Sequence, residues 1–480
     1  MWVELREEMI VSGADPKPES LQPFVDLMRA QGLSDPAIAS FAMHLRRLRG
    51  GDRGILTEDE IRPIPDLPDA DDLEAHREAG TARLDTVVVI KLNGGLGTSM
   101  GLNRAKSLLP VRGRLSFLDL IARQVLALRD RIGARIPLLL MNSFRTAADS
   151  ETALADYRDL VSEDLGLGFL QNKVPKILSR GMVPAVFPDD PQLEWCPPGH
   201  GDFFTAIAAS GLLDRLLETG IEYAFVSNAD NLGAVLDPAI LGFMAAKRAD
   251  FLLEAADRTA ADCKGGHLCR LHNGRLALRE SAQCPPDAET AFQDVSRYRY
   301  FNTNNVWLHL PSLAELLSAH HGFLPLPTIV NRKTLDPRDP SSPPVFQLET
   351  AMGTAISLFP QAAAIRVPRR RFSPVKNTND LLAVRSDAYK LTKDSCVVLH
   401  PDRTSPPVIR LDGRFYKLID EFDRRFPAGP PSLRHCSSML VEGDISFGAE
   451  VVVEGDAVIR TEKDGVSLAT GTVVRGEVRL

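Results

Sequence analysis

Blocks of apolar residues alternate with amphipathic stretches between Thr86 and about Tyr389, which predicts an α/β layered domain. The apolar runs at 86–90, 137–141, 223–227 and 251–255 are typical of buried strands. Amphipathic stretches at 117–128, 203–217 and 238–246 predict helices. His272-Asn-Gly-Arg275 lies between two short strand-like runs and predicts a hairpin turn. We therefore expect a mixed, mainly parallel sheet that includes an antiparallel element.

The first 60 residues predict helices rather than strands. Ser34-Asp-Pro36 supplies an N-cap and a first-turn proline, and an apolar stripe of helical spacing follows: Ile38, Phe41, Leu45 and Leu48. The proline-rich and acidic residues 62–72 predict an extended connector. Residues 1–80 are therefore expected to form a helical N-terminal segment with a linker.

The pattern changes again after about Val397. Short valine-rich runs are broken at small, uneven intervals by glycines, among them Gly448, Gly465, Gly471 and Gly476. This texture predicts a β-solenoid, and a flat antiparallel sheet is the alternative. The resulting division is a central domain at 81–395 and a C-terminal domain at 396–480.

Composition narrows the function classes. A chain of 480 residues is too long for one compact core, so two or three domains are expected. The net charge of −7 argues against general nucleic-acid binding. No apolar stretch approaches the roughly 18 residues of a membrane span, and the first residues lack the pattern of a signal peptide. The six cysteines form no C-x-x-C pair, which indicates free thiols and a cytoplasmic protein.

The most informative motif directly follows the strand at 86–90. Lys91-Leu-Asn-Gly-Gly-Leu-Gly-Thr-Ser-Met-Gly101, with Lys106 downstream, places four glycines and a nearby lysine in one loop. Glycines allow a ligand to approach the backbone, and successive N–H groups with a lysine suit a polyphosphate. Walker A would need glycine where Ala105 stands, and the dinucleotide fingerprint fails at Met100.

A second cluster of polar residues, Asn228-Ala-Asp230, follows the strand at 223–227. Ligands of open α/β sheets bind beyond the carboxyl ends of the strands, so we expect this cluster and the glycine-rich loop to converge. An aspartate at a strand end can bind Mg²⁺ or cap a helix, and the residues alone leave both interpretations open.

These motifs, together with others downstream, resemble the eukaryotic-type UTP–glucose-1-phosphate uridylyltransferases, or UDP-glucose pyrophosphorylases. The further motifs that carry the resemblance are Leu139–Phe144, Pro197–Asp202, Phe225–Gly233, Phe301–Asn305, Gln347–Thr350 and Pro374–Lys376. Together they cover the chain from about Thr86 to its end. The resemblance implies a GT-A-like, Rossmann-like nucleotidyltransferase domain and a C-terminal left-handed β-helix.

The implied activity is reversible uridylyl transfer from UTP to glucose 1-phosphate, which yields UDP-glucose and pyrophosphate. The sugar phosphate is already anionic, so an Mg²⁺-assisted in-line displacement at the α-phosphorus needs no general base and depends on positioning and charge neutralisation. The expected partners are these substrates, without nucleic acid or membrane, and the resemblance implies a homo-oligomer through the C-terminal domain.

The resemblance also assigns roles to individual residues. Lys106 and Lys376 are the predicted catalytic residues, and Asp230 is the predicted Mg²⁺ ligand. The predicted UTP-binding residues are Leu92, Asn93, Gly94, Gly95, Lys106, Gln171, Gly199, Asp230 and Lys376. The predicted sugar-phosphate-binding residues are His200, Asn228, Glu280, Asn302 and Asn304.

Some positions carry a prediction of their own. Asn302 and Asn304 stand two apart on an apparent strand and are expected to share a face. Arg369, Arg370 and Arg371 are expected to form a local anion-attracting patch. Ala105 departs from the proline that the family commonly has before the lysine of the first motif.

Two other functions remain as alternatives. One is the same chemistry with galactose 1-phosphate or N-acetylglucosamine 1-phosphate. The other is a non-catalytic UDP-sugar-binding subunit, which would be expected to have lost a lysine or the metal-binding aspartate, whereas Lys106, Asp230 and Lys376 are all present.

Overall fold

The computed structural model describes residues 20–52, 54–162, 164–259 and 262–480. The predicted helix content of residues 1–19 lies outside these ranges. Over the described ranges the helices are α1 Gln22–Ala30, α2 Asp35–Arg49, α3 Arg77–Thr81, α4 Phe117–Ile132, α5 Ala147–Leu154, α6 Phe203–Ala209, α7 Leu212–Glu218, α8 Pro238–Lys247, α9 Glu289–Gln293, α10 Leu310–Ala319, α11 Thr378–Arg385, α12 Gly413–Tyr416 and α13 Ile419–Arg425. None of these helices combines the length and the hydropathy of a membrane crossing.

The strands of the described ranges are numbered in chain order. They are β1 Ile61–Arg62, β2 Val87–Asn93, β3 Pro110–Arg112, β4 Leu115–Ser116, β5 Leu138–Asn142, β6 Gly168–Leu170, β7 Val174–Pro175, β8 Ile177–Leu178, β9 Trp195–Cys196, β10 Tyr223–Asn228, β11 Phe251–Asp257, β12 His267–Leu271, β13 Leu276–Arg279, β14 Tyr300–His309, β15 Ile329–Thr334, β16 Pro344–Glu349, β17 Ala362–Arg366, β18 Tyr389–Leu391, β19 Val397–Leu399, β20 Val408–Leu411, β21 Ser432–Glu442, β22 Ile445–Phe447, β23 Val452–Arg460, β24 Val466–Leu468 and β25 Val473–Arg479. The four predicted strands and the predicted hairpin are thereby confirmed.

The described chain divides into two units. The first holds the described residues up to Val88 together with 169–226 and 238–367, and the second holds 89–168, 227–237 and 368–480. This division groups segments that pack together, and each unit combines segments that are not consecutive in the chain. The consecutive segments 1–80, 81–395 and 396–480 stay a sequence-based prediction.

The first unit contains a mixed sheet. Strand β14 runs antiparallel to β10, β11 and β12, while β11 pairs in parallel with β17. Strands β12 and β13 form the predicted hairpin. A second, smaller sheet joins β15, β16 and β8. Four strands of the first sheet therefore share one direction, and the antiparallel element of the prediction is confirmed.

Two sequence signals for helices have different outcomes in the first unit. Ser34 caps α2 as predicted, because its hydroxyl accepts a hydrogen bond from the Ala37 N–H at 3.4 Å. The single helix predicted over 203–217 is wrong, because α6 ends at Ala209 and α7 begins at Leu212. Gly211 between them has φ +67°, a left-handed conformation that interrupts a helix and that glycine adopts without strain.

The second unit begins with a parallel strand pair. Strands β2 and β5 are in register from Val89 opposite Leu138 to Asn93 opposite Asn142. Nearly all their side chains are buried, as expected for parallel strands. Helix α4 follows β4, with the Ser116 hydroxyl and the Asp119 carboxylate forming a capping box.

The C-terminal part of the second unit consists of stacked parallel strands. Strand β21 pairs with β20 and β23, β23 pairs with β25, and β22 pairs with β24, all in parallel. The side chains of Leu433, Met439, Val453 and Ile459 are buried within this stack. The parallel pairing contradicts the alternative of a flat antiparallel sheet.

Candidate active site

The predicted site residues fall into two groups, one in each unit. The second unit holds Leu92, Asn93, Gly94, Gly95, Lys106, Asn228, Asp230 and Lys376. The first unit holds Gln171, Gly199, His200, Glu280, Asn302 and Asn304. Each group is built separately from local backbone geometry and long-range hydrogen bonds.

In the second unit, the glycine-rich loop is a tight turn that returns to its own start. Gly97 has φ +66°, a conformation that glycine adopts without strain, and a Cβ there would lie 2.8 Å from the tip of the Leu102 side chain. The Lys106 N–H donates to the Gly95 carbonyl at 3.0 Å. The loop thereby fixes the start of the Lys106 side chain beside the glycines.

Lys106 reaches the residue that follows β10. Its ammonium donates to the Asp230 carboxylate at 2.6 Å, and the two side chains are 14% and 22% exposed. The Ala229 N–H donates to the Leu92 carbonyl at 3.1 Å, which ties the two strand ends together. The predicted convergence of the loop and the 228–230 cluster is confirmed. No helix begins directly after Asp230, since α8 starts at Pro238, so the helix-cap interpretation is wrong.

The segment that carries Lys376 is bound to the same cluster. The Val375 N–H donates to the Asp230 carbonyl at 3.2 Å, and the Ser373 N–H donates to the Asn231 side chain at 3.0 Å. The exposed Lys376 donates its backbone N–H to the Asp380 carboxylate at 2.7 Å. Burial raises the pKa of Asp380, while hydrogen bonds and the charges of Lys376 and Lys106 lower it. The charges of both lysines therefore act on the same carboxylate, that of Asp380.

Arg371 does not belong to the predicted anion-attracting patch. It is buried, donates to the Val235 carbonyl at 3.0 Å and lies 4.0 Å from the Asp237 carboxylate. The Asn231 amide in turn donates to the Arg371 carbonyl at 3.1 Å. Arg371 therefore holds together the two segments that carry Asp230 and Lys376.

Two residues of the first motif have side chains that hydrogen-bond to other segments of the protein. Lys91 is buried, and its ammonium donates to Ser227 and to the Ala234 carbonyl, both at 2.7 Å. The Asn93 amide, also buried, donates to Asn142 at 2.7 Å and to Ser150 at 2.8 Å. The predicted contact of Asn93 with UTP stays a prediction, and its side-chain amide already links β2 to β5 and α5.

In the first unit, the loop with Gly199 and His200 lies against Thr350–Met352. The Gly201 N–H donates to the Thr350 carbonyl at 2.9 Å, and the Met352 N–H donates to Nδ1 of His200 at 2.9 Å. Because Nδ1 accepts, Nε2 carries the proton of the neutral ring. Desolvation lowers the pKa of His200 to about 4, so the ring is a neutral hydrogen-bond donor at pH 7.

Gln171 is buried, and the residue after it is bound to the His200 loop. The Asn172 backbone N–H donates to the Asp202 carboxylate at 2.6 Å, and the Asn172 amide donates to its other oxygen at 2.9 Å. The structure thus brings the predicted uracil-reading segment and the predicted nucleotide loop together.

The hexose candidates form a connected group in the first unit. Gly353, next to Met352, is so close to Asn302 that a Cβ would lie 3.2 Å from its amide nitrogen. The Asn302 N–H donates to the Gly266 carbonyl at 3.1 Å, and a Cβ on Gly266 would collide with the Glu280 carboxylate. His200, Asn302 and Glu280 are therefore linked through Met352, Gly353 and Gly266.

The expectation that Asn302 and Asn304 share a strand face is wrong. The pairing of β11 with β14 shifts register, so that Glu254 faces Asn305 while Ala255 faces Asn302. Asn304 has φ +59°, and its N–H donates to the Asn302 side chain at 2.8 Å. A bulge of this kind redirects side chains that a regular strand would alternate.

Sequence reasoning missed Asp202, Asp380 and Asn231, which hold the site segments in place. Asp202 stood inside the quoted motif Pro197–Asp202, and Asn231 stood inside Phe225–Gly233. Their positions next to functional candidates were a usable signal. Asp380, four residues after Lys376, carried only the signal of a helix start at Asn377, whose capping box is present.

Comparisons with known proteins find similar sequences over most of the chain. A family model described as UTP–glucose-1-phosphate uridylyltransferase matches residues 40–454. A UTP–glucose-1-phosphate uridylyltransferase of Hordeum vulgare is 41% identical over 418 residues, which cover 86% of this chain and 84% of that protein.

Solved structures extend the similarity to the fold. The UDP-glucose phosphorylase of Trypanosoma brucei is 43% identical with a TM-score of 0.88, covering 96% of this chain and 99% of that one. A variant of the Leishmania major UDP-glucose pyrophosphorylase, solved in complex with UDP-glucose, is 41% identical with a TM-score of 0.89, at the same coverage of 96% and 99%.

Proposed function

The chain belongs to the UTP–glucose-1-phosphate uridylyltransferase family, and on this premise we propose how its own residues carry out the reaction. The activity is the transfer of a uridylyl group from UTP to glucose 1-phosphate, with release of pyrophosphate. The observation that carries the residue assignment is the local convergence of Lys106, Asp230 and the Lys376 segment in the second unit.

Lys106 and Lys376 are the proposed catalytic residues. The phosphate oxygen of glucose 1-phosphate attacks the α-phosphorus of UTP, and the bond to the leaving pyrophosphate breaks in line. Negative charge accumulates on non-bridging and leaving oxygens, where a lysine acts as a movable point charge. In this scheme Lys106 acts on the pyrophosphate side and Lys376 on the phosphates of both reactants.

Asp230 is the proposed ligand of Mg²⁺. Over the described ranges, no group of three or more His, Cys, Asp or Glu residues could hold a metal ion. The single carboxylate of Asp230 fits Mg²⁺, which commonly takes one or two carboxylates and completes its coordination with phosphate oxygens and water. When bound, the ion neutralises phosphate charge. Lys106, released from the 2.6 Å ion pair with Asp230, would then be available for the phosphates.

The first unit supplies the proposed nucleotide and sugar contacts. Gln171 offers a donor and an acceptor for the uracil edge, and Gly199 allows close backbone approach. His200, as a neutral Nε2–H donor, suits a sugar phosphate oxygen. Glu280, Asn302 and Asn304 are proposed for the sugar phosphate. The assignments of Asn228 to the sugar phosphate and of Leu92, Asn93, Gly94 and Gly95 to UTP come from the family motifs and stay predictions.

The finer fold assignment and the cellular context belong to the same proposal. We assign the central part to a GT-A-like fold and the C-terminal strands to a left-handed β-helix, supported by the parallel pairing of β20, β21, β23 and β25. Assembly through the C-terminal domain, a cytoplasmic location and the absence of nucleic-acid and membrane partners stay predictions from the sequence.

The deciding experiment measures pyrophosphate release from UTP and Mg²⁺ with a panel of sugar 1-phosphates, with and without a chelator. We expect release with glucose 1-phosphate that chelation abolishes. A preference for galactose 1-phosphate or N-acetylglucosamine 1-phosphate would keep the mechanism and change the specificity. Folded protein that binds UDP-glucose but releases no pyrophosphate with any sugar would refute the catalytic proposal in favour of a binding subunit.

A further inference from the structure

Asp202 has no role in the chemistry proposed above, yet it joins two nucleotide-binding segments. We propose that Asp202 is a positioning residue, which clamps the segment of Gln171 to the loop of Gly199 and His200 and thereby sets pyrimidine recognition. The inference rests on the proposed uracil contact of Gln171. Asp202 itself is not placed against the substrate.

The clamp is a two-point hydrogen bond from a single residue. Asn172 donates its backbone N–H at 2.6 Å and its amide at 2.9 Å, one to each Asp202 oxygen. Asp202 is 8% exposed, and only an ionised carboxylate accepts on both oxygens without a competing proton. Moving Asp202 would therefore move Asn172 and, directly before it, Gln171.

The loop on the other side of the clamp has little freedom. The Gly201 N–H donates to the Thr350 carbonyl, and the Thr350 N–H donates to the Pro198 carbonyl, both at 2.9 Å. A Cβ on Gly201 would collide with the Thr350 hydroxyl. The loop is therefore fixed against β16 and its continuation, and Asp202 transmits that position to the Gln171 segment.

The two N-terminal helices form the platform beneath this clamp. Phe24, Met28, Phe41 and Leu45 of α1 and α2 share one buried cluster with residues adjoining each segment of the site: Val174 after Asn172, Trp195 and Cys196 before Gly199, and Leu348 before Thr350. A contiguous apolar cluster resists relative displacement of the segments that it joins. The N-terminal segment thereby gains a function in the nucleotide site.

The space behind Asp202 is closed by α2. A cavity of about 20 Å³ is lined by the clamp residues together with Ser40 and His44, which is space for about one water molecule. Desolvation lowers the pKa of His44 to about 4, so the ring beside this cavity is neutral at pH 7. Desolvation raises the pKa of Asp202 to about 7 although the two Asn172 hydrogen bonds oppose the rise, so the ionised form that accepts both hydrogen bonds prevails above neutral pH.

The test measures steady-state kinetics of Asp202→Asn with UTP and with CTP. The amide retains the shape and one acceptor oxygen but removes the negative charge and the second acceptor oxygen. We expect the KM for UTP to rise about tenfold and the kcat to stay within about twofold. The preference for UTP over CTP should also fall about tenfold, and each tenfold change corresponds to roughly 1.4 kcal/mol. An unchanged KM and preference, or a loss confined to kcat, would overturn the proposal.

Two further variants keep the test decisive. Asn172→Ala removes the side-chain hydrogen bond to Asp202 and retains the backbone one, so we expect smaller changes in the KM and in the preference. This variant replaces Asp202→Asn in the test if Asp202→Asn does not fold. Ser40→Ala, which alters the cavity wall without touching the clamp, should leave the nucleotide preference unchanged. If the nucleotide preference shifts as much in Ser40→Ala as in Asp202→Asn, the effect comes from general packing around the cavity, and the clamp is refuted.

Gln171→Ala separates this inference from the proposed function. If Gln171→Ala alters the UTP preference and Asp202→Asn does not, the clamp is refuted and the uracil contact stands. If Asp202→Asn raises the KM for UTP while Gln171→Ala leaves the preference unchanged, the uracil contact of Gln171 is refuted, and with it the role of the clamp in pyrimidine recognition. If neither variant changes the KM or the preference, both are refuted.

Discussion

The Lys106 ammonium and the Asp230 carboxylate lie 2.6 Å apart, although 124 positions separate them in the chain. The contact joins the end of the glycine-rich loop to the residue that follows β10. In catalysis the two groups are assigned different partners, Lys106 the phosphates and Asp230 the metal ion. Under the proposed assignment, the substrates and Mg²⁺ would replace this contact.

We expect Asp230→Asn to weaken the dependence of activity on Mg²⁺. An amide is a poorer ligand for a hard cation than a carboxylate, so a titration of activity with Mg²⁺ should shift to concentrations about tenfold higher or more. The control is Asp189→Asn, which makes the same charge change at an exposed position of the first unit. A titration curve that coincides with that of the control would contradict the assignment.

Lys376→Ala should leave the fold intact and lower turnover by about 10²–10³-fold, the scale of losing one preorganised charge at a developing oxyanion. The side chain is exposed, so truncation removes little packing. Single-turnover kinetics and thermal unfolding check both statements. Lys390→Ala, at an exposed position of β18, is the matched control, and turnover of Lys376→Ala close to that control would refute the catalytic role.

Gly199→Ala should destabilise the protein more than Gly220→Ala. The two glycines have nearly the same φ, +79° and +80°, so both substitutions meet positive-φ strain, and the ψ of 171° at Gly199 places that residue in a region that is essentially restricted to glycine. A Cβ on Gly199 would lie 2.5 Å from the Thr350 carbonyl oxygen, whereas that on Gly220 meets open space. Overpacking should add about 1–3 kcal/mol at Gly199. Equal urea midpoints for the two variants would show that the loop can move away from Thr350.

His44 should make stability fall in acid. Desolvation, with a smaller contribution from Arg47, lowers its folded-state pKa to about 4 from 6.5. As the pH falls below 6.5, the unfolded chain binds a proton that the folded chain does not, so the free energy of unfolding decreases. The slope approaches about 1.4 kcal/mol per pH unit for one histidine and ends near pH 4, where the folded state also protonates.

The measurement is the free energy of unfolding in urea between pH 7.5 and pH 5 for the wild type and for His44→Gln. The variant should lose part of the slope that the wild type shows. The buried His200 and His267 also have lowered pKa values, so a residual slope of the same sign is expected. An unchanged slope in His44→Gln would mean that His44 does not titrate between the folded and unfolded states.

Several elements could be read from local sequence because their causes are local. The strand runs at β2, β5, β10 and β11, the Asn-Gly turn and the Ser34 cap each depend on residues a few positions apart. The helix break at Gly211 was missed because an apolar helical pattern continues across it, while the conformation of one glycine interrupts it. The family motifs further predicted which lysines would act on phosphate and which aspartate would bind the metal ion, and these assignments stay predictions.

The sequence alone determined the strand and turn pattern, which follows from residue type and short spacing, and its resemblance to the family indicated the type of chemistry. The tertiary structure decided what each polar side chain contacts. In it, Lys106 forms an ion pair with Asp230, and Arg371 is buried. Strand β14 has a bulge near Asn304, and Asn172 donates hydrogen bonds to Asp202. These outcomes depend on burial and hydrogen bonds between residues far apart in the chain, which one-dimensional spacing does not encode.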